Sequence, residues 1–176
     1  MQAEDIVIHA LPKIGEFPNN PNCPLLVYPT AIVPTGTGLA TRFEELFTAN
    51  GWPAAWRNGV FPFHHWHSNA HEVLGIYSGR VTVQFGGDQG VSIEAGPGDV
   101  VVVPAGVSHK RIALRGSLGV VGAYPSAQSP DHCQPGDTTG SAARISRVSR
   151  PESDPVFGAN GPLCTLWSSA QNKGVE

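Results

Sequence analysis

Residues 59–109 carry four side chains whose spacing constrains both the fold and the chemistry of the chain. They are His65, His67, Glu72 and His109. His65 and His67 are two residues apart, so on a β-strand both point to the same face, because side chains alternate between faces. Imidazole and carboxylate ligands suit iron, nickel, manganese or zinc, and the sequence leaves the choice among them open. We therefore predict a site for one divalent transition metal ion.

The residues around this set predict short strands joined by tight turns. Val81, Val83 and Phe85 alternate with Thr82 and Gln84, which is typical of a strand with one buried face. Glycine-rich turns are expected at 78–79, 86–90, 96–99 and 104–106. The predicted strands are 6–8, 25–33 at an edge, 72–77, 80–85, 91–93, 100–103, 109–114 and 119–124. Many short strands of this kind predict an antiparallel sandwich or barrel.

One amphipathic helix is predicted over residues 39–50. Its apolar stripe consists of Leu39, Phe43, Leu46 and Phe47. Thr41 and Glu44 have the spacing of a capping box, and Asn50-Gly51 is a typical stop signal. We expect the helix to cover one face of the sheets.

Composition predicts one globular domain. The 176 residues are 40% apolar and 14% charged, which argues against general disorder. We expect a core barrel over about 25–124, an irregular surface segment over 125–153 and a docking tail, or strap, over 154–176. His132 and Cys133 fall in the irregular segment, where a surface position is favoured over a lid.

Charge and cysteine content narrow the expected partners and compartment. A formal net charge of -3 gives no basic excess for nucleic acid. We expect no membrane partner, because the apolar runs are too short to span a bilayer. The start of the chain lacks the pattern of a secretory signal. Three widely spaced cysteines do not suggest a disulfide framework, so we expect a cytoplasmic protein with reduced thiols.

The spacing in the central stretch resembles the two cupin motifs. The first motif is Gly, five residues, His-x-His, three or four residues, Glu, six residues and Gly. The residues that fit it here are Gly59, His65, His67, Glu72 and Gly79. In the second motif, Gly98, Pro104, Gly106 and His109 fit, and Ala113 stands where the pattern has Asn. That Asn is not usually a metal ligand, so the departure puts a polar pocket contact in doubt rather than the metal.

The resemblance implies an all-β, double-stranded β-helix, also called a jelly-roll cupin barrel, here with one N-terminal covering helix and a C-terminal strap. The stretches 51–52, 56–59, 71–75 and 122–125 resemble those of a small bacterial group, the YjlB-like cupins. In such a barrel, His65, His67, Glu72 and His109 would hold the metal. His64 and His71, next to ligands in sequence, are expected to face outward on a regular strand.

An apolar pocket is expected around the metal. Phe61 and Phe63 share the face of His65 and His67, provided that Pro62 does not break the strand. Leu74 and Ile76 share the face of Glu72, and for these two the alternative is that they only fill the barrel. Arg111, two residues after His109, either clamps a substrate carboxylate or lies on the surface.

The first functional hypothesis is a metal-dependent oxidoreductase, dioxygenase-like, acting on a small organic molecule. The alternatives are a metal-dependent isomerase or decarboxylase, and a small-molecule-binding cupin without catalysis. No residue beyond the ligands is assigned a catalytic role. A homodimer is an expectation for a jelly roll with open sheet edges.

Overall fold

The computed structural model describes residues 5–53 and 55–168, and within these ranges the chain forms seven strands and three helices. The strands are β1 (Val7–Leu11), β2 (Asn20–Tyr28), β3 (Trp56–Asn58), β4 (Glu72–Phe85), β5 (Val91–Ala95), β6 (Val100–Val103) and β7 (His109–Ala123). The helices are α1 (Leu39–Ala49), α2 (Ser141–Ile145) and α3 (Pro162–Ser168). The strands pair antiparallel in the order β1-β2-β6-β4-β7-β3, with β5 on β4.

The central strands bury both faces, and alternate residues enter two separate cores. In β6, Val101 and Val103 belong to a first core lined by the inner face of the sheet. Val100 and Val102 belong to a second core on the outer face. A strand covered on both faces reads as a continuous apolar run, which is why four consecutive valines occur here. The same alternation in β4 directs Glu72 away from the second core.

Helix α1 supplies much of the second core. Phe43 and Phe47 are fully buried there, and the Phe43 ring lies 2.8 Å from where a Cβ on Gly75 would be. The predicted capping box is wrong: the N-cap is Gly38, and no side chain caps the helix. Thr41 and Glu44 instead accept hydrogen bonds from Arg57, with Glu44 held at 2.6 and 2.7 Å. Arg57, which lies outside the helix, therefore binds the two side chains that were predicted to cap it.

The predicted edge strand over 25–33 differs in both bounds and position. Strand β2 begins at Asn20 and ends before Pro29, and it lies between β1 and β6 rather than at an edge. It accommodates Pro21 and Pro24 because both fall where the β1 register jumps and where β6 does not pair. The lost N–H donors therefore leave the ladder intact.

The predicted turn at 78–79 and the predicted gap between strands at 115–118 both lie inside long strands. Strand β4 continues through residues 78–79, where its register against β7 shifts on both sides of Ser78. Gly79 has a φ of 68°, a left-handed conformation that suits a β-bulge. Strand β7 correspondingly runs unbroken from His109 to Ala123.

The segment after β7 returns to the second core through α3. Leu163 and Trp167 are fully buried there, and the Trp167 indole donates to the Pro24 carbonyl at 2.9 Å. The buried Asp154 carboxylate accepts from the Tyr28 hydroxyl at 2.7 Å and from the Leu163 N–H at 3.0 Å. Residues 169–176 of the predicted docking tail lie outside the described residues.

Two further findings concern the described ranges as a whole. Cys23, Cys133 and Cys164 are free thiols. No helix in the described part of the chain is long and apolar enough to cross a membrane.

Candidate metal centre

Three histidines converge at one end of the sheet. One ring nitrogen from each of His65, His67 and His109 lies within 4.8 Å of the other two. Two reciprocal backbone hydrogen bonds join His65 and His109, with nitrogen to oxygen distances of 3.3 and 2.9 Å. His65 lies on an isolated bridge, and neither His65 nor His67 lies on a regular strand. Alternation still holds locally, because Trp66 between them is buried against Phe17 and Cys133.

Backbone carbonyls orient all three imidazoles. His65 Nδ1 lies 3.4 Å from the Phe63 carbonyl, and His109 Nδ1 lies 3.1 Å from the Val107 carbonyl. His67 Nδ1 bonds to the Asp131 carbonyl. A carbonyl only accepts, so these bonds assign the hydrogen to Nδ1 and leave the Nε2 lone pair free. Fixing the ligand tautomer in this way is what metal-binding histidines require.

Glu72 lies beside the Nε2 atoms of His67 and His109. It is 2% exposed, and its Oε2 is 3.5 Å from His67 Nε2 and 3.3 Å from His109 Nε2. Within the described ranges this oxygen makes no hydrogen bond. Lone pairs that face a buried carboxylate oxygen repel it unless a proton or a metal cation lies between them. Three imidazole nitrogens and one carboxylate oxygen are a donor set that fits a divalent transition metal.

The pKa values of His65 and His67 shift in opposite directions. Burial, followed by the charge of His109, lowers the pKa of His65 to about 2. Burial would also lower the pKa of His67, but the Glu72 carboxylate outweighs it and raises that pKa. Burial would raise the pKa of Glu72, but His67 and His109 hold it well below its usual range. Glu72 is therefore a carboxylate anion at neutral pH.

A cavity of about 280 Å³ opens above this cluster. Of the predicted pocket residues, Phe61 and Leu74 line it. Phe63 stacks on Phe61 with ring centres 5.0 Å apart and is 40% exposed, outside the lining. Ile76 is packed in the first core, and Arg111 is a half-exposed residue of β7 that does not reach the cavity. The structure therefore offers no arginine clamp at Arg111.

Two aromatic residues that the sequence did not mark out for the site line the cavity. Trp56 donates its indole N–H to the Tyr124 hydroxyl at 3.0 Å. The Tyr124 hydroxyl also interacts with Glu72, and burial followed by the Glu72 charge raises its pKa. Tyr124 follows the end of β7, which pairs with the start of β4 next to Glu72. Only the pairing of β7 with β4 could have indicated that Tyr124 lies in the site, because no local sequence pattern does.

The irregular segment 125–153 reaches the site: His132 is exposed but also lines the cavity, and Cys133 is buried, although the sequence favours a surface position for both. The backbone of buried Cys133 pairs with Trp66 at 3.0 and 2.9 Å. This bridge brings the His132 ring nearly parallel to His65, with centres 5.0 Å apart. His132 is exposed on one side and lines the cavity on the other.

The Asp131 side chain anchors the segment 125–153 to the site through hydrogen bonds. Its carboxylate accepts from the Ser68 N–H at 2.6 Å and from the Ser68 hydroxyl. The Asn69 side chain accepts from the Asp131 N–H at 2.7 Å, and Arg144 lies 3.6 Å from the carboxylate. The carbonyl that orients His67 is thus held by a local network.

His64 and His71, which adjoin the proposed ligands in sequence, face away from the cluster, as alternation predicts, but they are buried rather than exposed. His64 bonds to the Ser108 hydroxyl at 2.8 Å and to Asp88 at 3.1 Å. His71 accepts from the Ala105 N–H at 3.0 Å and packs on Trp167. Ala113, at the motif's Asn position, is exposed and pairs with Thr82 instead of lining the cavity.

Comparison with known proteins agrees with the motifs. Residues 57–115 match the family described as Cupin domain. The chain is 39% identical over 158 residues to Uncharacterized protein YjlB of Bacillus subtilis (strain 168), which covers 89% of this chain and 93% of YjlB.

Two solved structures are also similar to this chain. Acireductone dioxygenase from Bacillus anthracis has a TM-score of 0.39 and 19% identity, covering 53% of this chain and 64% of that one. The epimerase RmlC from Legionella pneumophila Philadelphia 1 has a TM-score of 0.37 and 14% identity, covering 68% and 71%. Neither enzyme's activity is carried over at these scores. The sequence match to YjlB over nearly the whole of both chains, together with the β-rich sheet and the three-histidine cluster suited to a divalent metal, shows that the chain belongs to the YjlB-like cupins.

Proposed function

We propose that this chain is a metal-dependent oxidoreductase of the dioxygenase type, built as one domain and acting on a small organic molecule. The proposed metal ligands are His65, His67, Glu72 and His109. The observation that carries the proposal is the direction of the free lone pairs. The Nε2 atoms of His67 and His109, each freed by a backbone bond at Nδ1, lie within 3.5 Å of a Glu72 oxygen that has no hydrogen bond in the described ranges.

Among iron, nickel, manganese and zinc, the first three suit a redox reaction. When bound, such an ion would supply Lewis-acid and redox chemistry, since four protein ligands leave one or two positions of a five- or six-coordinate ion for a bidentate substrate or dioxygen. Glu72 contributes one negative charge, and the histidines contribute none. Trp56, Phe61 and Leu74 give the space above the cluster apolar walls.

The proposed reaction balances with dioxygen as the only co-reactant. One carbon–carbon bond of the enolate breaks, and both oxygen atoms enter the two products. The four electrons that reduce dioxygen come from the substrate, so no external reductant is needed. A diketone enolate would give one carboxylate and one dicarbonyl compound, and the proton lost when the enolate forms stays in solvent.

A metal-dependent isomerase or decarboxylase is the second candidate, and Tyr124 favours it. Its oxygen accepts the Trp56 N–H, so its own proton is free for Glu72 or for a bound molecule. Because burial and the Glu72 charge raise its pKa, the hydroxyl keeps that proton at neutral pH. A proton held there can be returned to an enolate. This chemistry consumes no oxygen and introduces solvent hydrogen into the product.

Reconstitution separates these candidates. The metal-free protein is loaded with iron(II), manganese(II) or nickel(II), and oxygen uptake is followed on diketones, catechols and thiols. We expect uptake with at least one metal, and oxygen-18 label from the gas in both products. Deuterium incorporation without uptake would favour the isomerase. Recovery of every compound unchanged, with metal bound at one ion per chain, would reject both candidates and leave a binding protein.

Matched variants tie any activity to the site. His67→Ala should lose metal and oxygen uptake while its circular dichroism spectrum stays that of the parent. His9→Ala, on the edge strand β1, removes an imidazole outside the cavity and should retain both. Equal metal content in His67→Ala and the parent would refute the ligand assignment.

A further inference from the structure

We infer that the substrate is a compact chelator with one negative charge on its chelating atoms and an uncharged, apolar body. The inference rests on the proposed function, because it takes the metal to be held by His65, His67, Glu72 and His109. It excludes molecules that carry a second anionic group, such as a distal carboxylate or a phosphate.

The charges around the cavity restrict the charge that the substrate can carry. Among the residues that the structure describes, no lysine or arginine lines the cavity, and its charged side chains are Glu72 and Asp131. Asp131 is already compensated by Arg144 at 3.6 Å and by Ser68. A divalent ion, neutral imidazoles and one Glu72 charge leave a net charge of one positive unit. A singly charged chelate neutralises the site.

A second anionic group would be left without a cation. Arg111 lies at a suitable position in the sequence, but it does not reach the cavity. An unpaired charge in an apolar enclosure is costly unless a cation or hydrogen-bond donors compensate for it. The neutral donors of the lining, which include the Tyr124 hydroxyl and the Asn58 amide, do not compensate a full charge.

The walls of the cavity restrict the polarity and the size of the substrate. Phe61 meets His132 edge-on at 5.6 Å and His65 edge-on at 5.1 Å. Trp56 and Leu74 add further apolar surface. Aromatic and aliphatic walls favour a substrate body without polar groups. The volume of about 280 Å³ is near the lower end of the roughly 300–1,000 Å³ range of small-molecule sites, so the substrate is compact.

Two diketones that differ at one end test the charge condition. In 2,4-heptanedione the chain ends in a methyl group, and in 4,6-dioxoheptanoate a carboxylate replaces that methyl. Both chelate through the same pair of oxygen atoms. Titration calorimetry with zinc-loaded protein measures binding without turnover, after zinc has been counted per chain. We expect 2,4-heptanedione to bind at least tenfold more tightly, after correction for the affinity of each compound for free zinc.

A charge introduced into the wall should reverse the preference. In Phe61→Arg, the carboxylated compound should gain at least tenfold relative to its parent. Ile112→Arg adds the same charge on an exposed residue of β7 outside the cavity and should leave the preference unchanged.

The possible failures are distinguishable. Absence of zinc from the purified and metal-supplemented protein would reject the proposed metal site itself. Zinc at one ion per chain, with equal or tighter binding of 4,6-dioxoheptanoate, would overturn this inference alone. Failure of both diketones to bind zinc-loaded protein would likewise overturn it.

Discussion

The main-chain carbonyl of Asp131 bonds to Nδ1 of His67, a residue 64 positions earlier in the chain. This contact orients an imidazole that faces Glu72, and it belongs to a segment that local sequence pattern predicts as an irregular surface loop. The candidate metal centre is thus completed from outside the stretch that carries the motifs.

The first prediction follows from this contact. Asp131→Ala removes the carboxylate that bonds to Ser68 and should release the carbonyl from His67. Loss of such an orienting group typically lowers metal affinity by about 10–100-fold, and we expect a value in that range. Competition with a chromophoric zinc chelator measures it.

A neighbouring aspartate provides the control for this variant. Asp137→Ala removes an exposed carboxylate that bonds only to the Gln134 N–H among the hydrogen bonds described, and it should leave zinc affinity unchanged. If Asp131→Ala binds zinc as tightly as the parent, the segment does not orient His67.

The second prediction concerns the buried carboxylate that anchors α3. Asp154→Ala leaves the Tyr28 hydroxyl and the Val156, Phe157 and Leu163 N–H groups without their acceptor. We expect the free energy of unfolding in urea to fall by about 3 kcal/mol or more. Tyr28→Phe removes one of these bonds and should cost only about 1 kcal/mol. Equal losses in the two variants would contradict a role for Asp154 beyond Tyr28.

The third prediction concerns alkaline pH. Burial, followed by the charge of Asp154, raises the pKa of Tyr28 above its ordinary value of 10.0. Above that pH the unfolded chain loses the Tyr28 proton and the folded chain keeps it, so folding binds a proton and stability falls as pH rises. The advantage of the parent over Tyr28→Phe should therefore shrink above about pH 10. Urea denaturation from neutral to alkaline pH measures it, and a constant difference would contradict the account.

Local periodicity predicted the parts of the fold that depend on neighbours in sequence. The spacing of His65 and His67 suffices to put both on one face, and helix α1 begins at the predicted Leu39 because its apolar stripe has helical period. The sheet context of β2 could not be predicted, because its prolines fall in a register jump that depends on β1 and β6.

The rest of the site depends on contacts distant in sequence. Thr41 and Glu44 have the spacing of a cap, yet Arg57 binds both, because a charged tertiary partner competes with the backbone. Trp56, Tyr124 and His132 reach the cavity only through strand pairing and the Trp66–Cys133 bridge. No periodic pattern encodes such pairings.

The proposed function requires that His65, His67, Glu72 and His109 hold one metal ion. Crystals of protein expressed with added metal, measured on both sides of that metal's absorption edge, test it most directly. We expect one anomalous peak per chain, within bonding distance of the three Nε2 atoms and a Glu72 oxygen. Metal bound elsewhere, or no anomalous peak at this cluster in metal-supplemented protein, would contradict it.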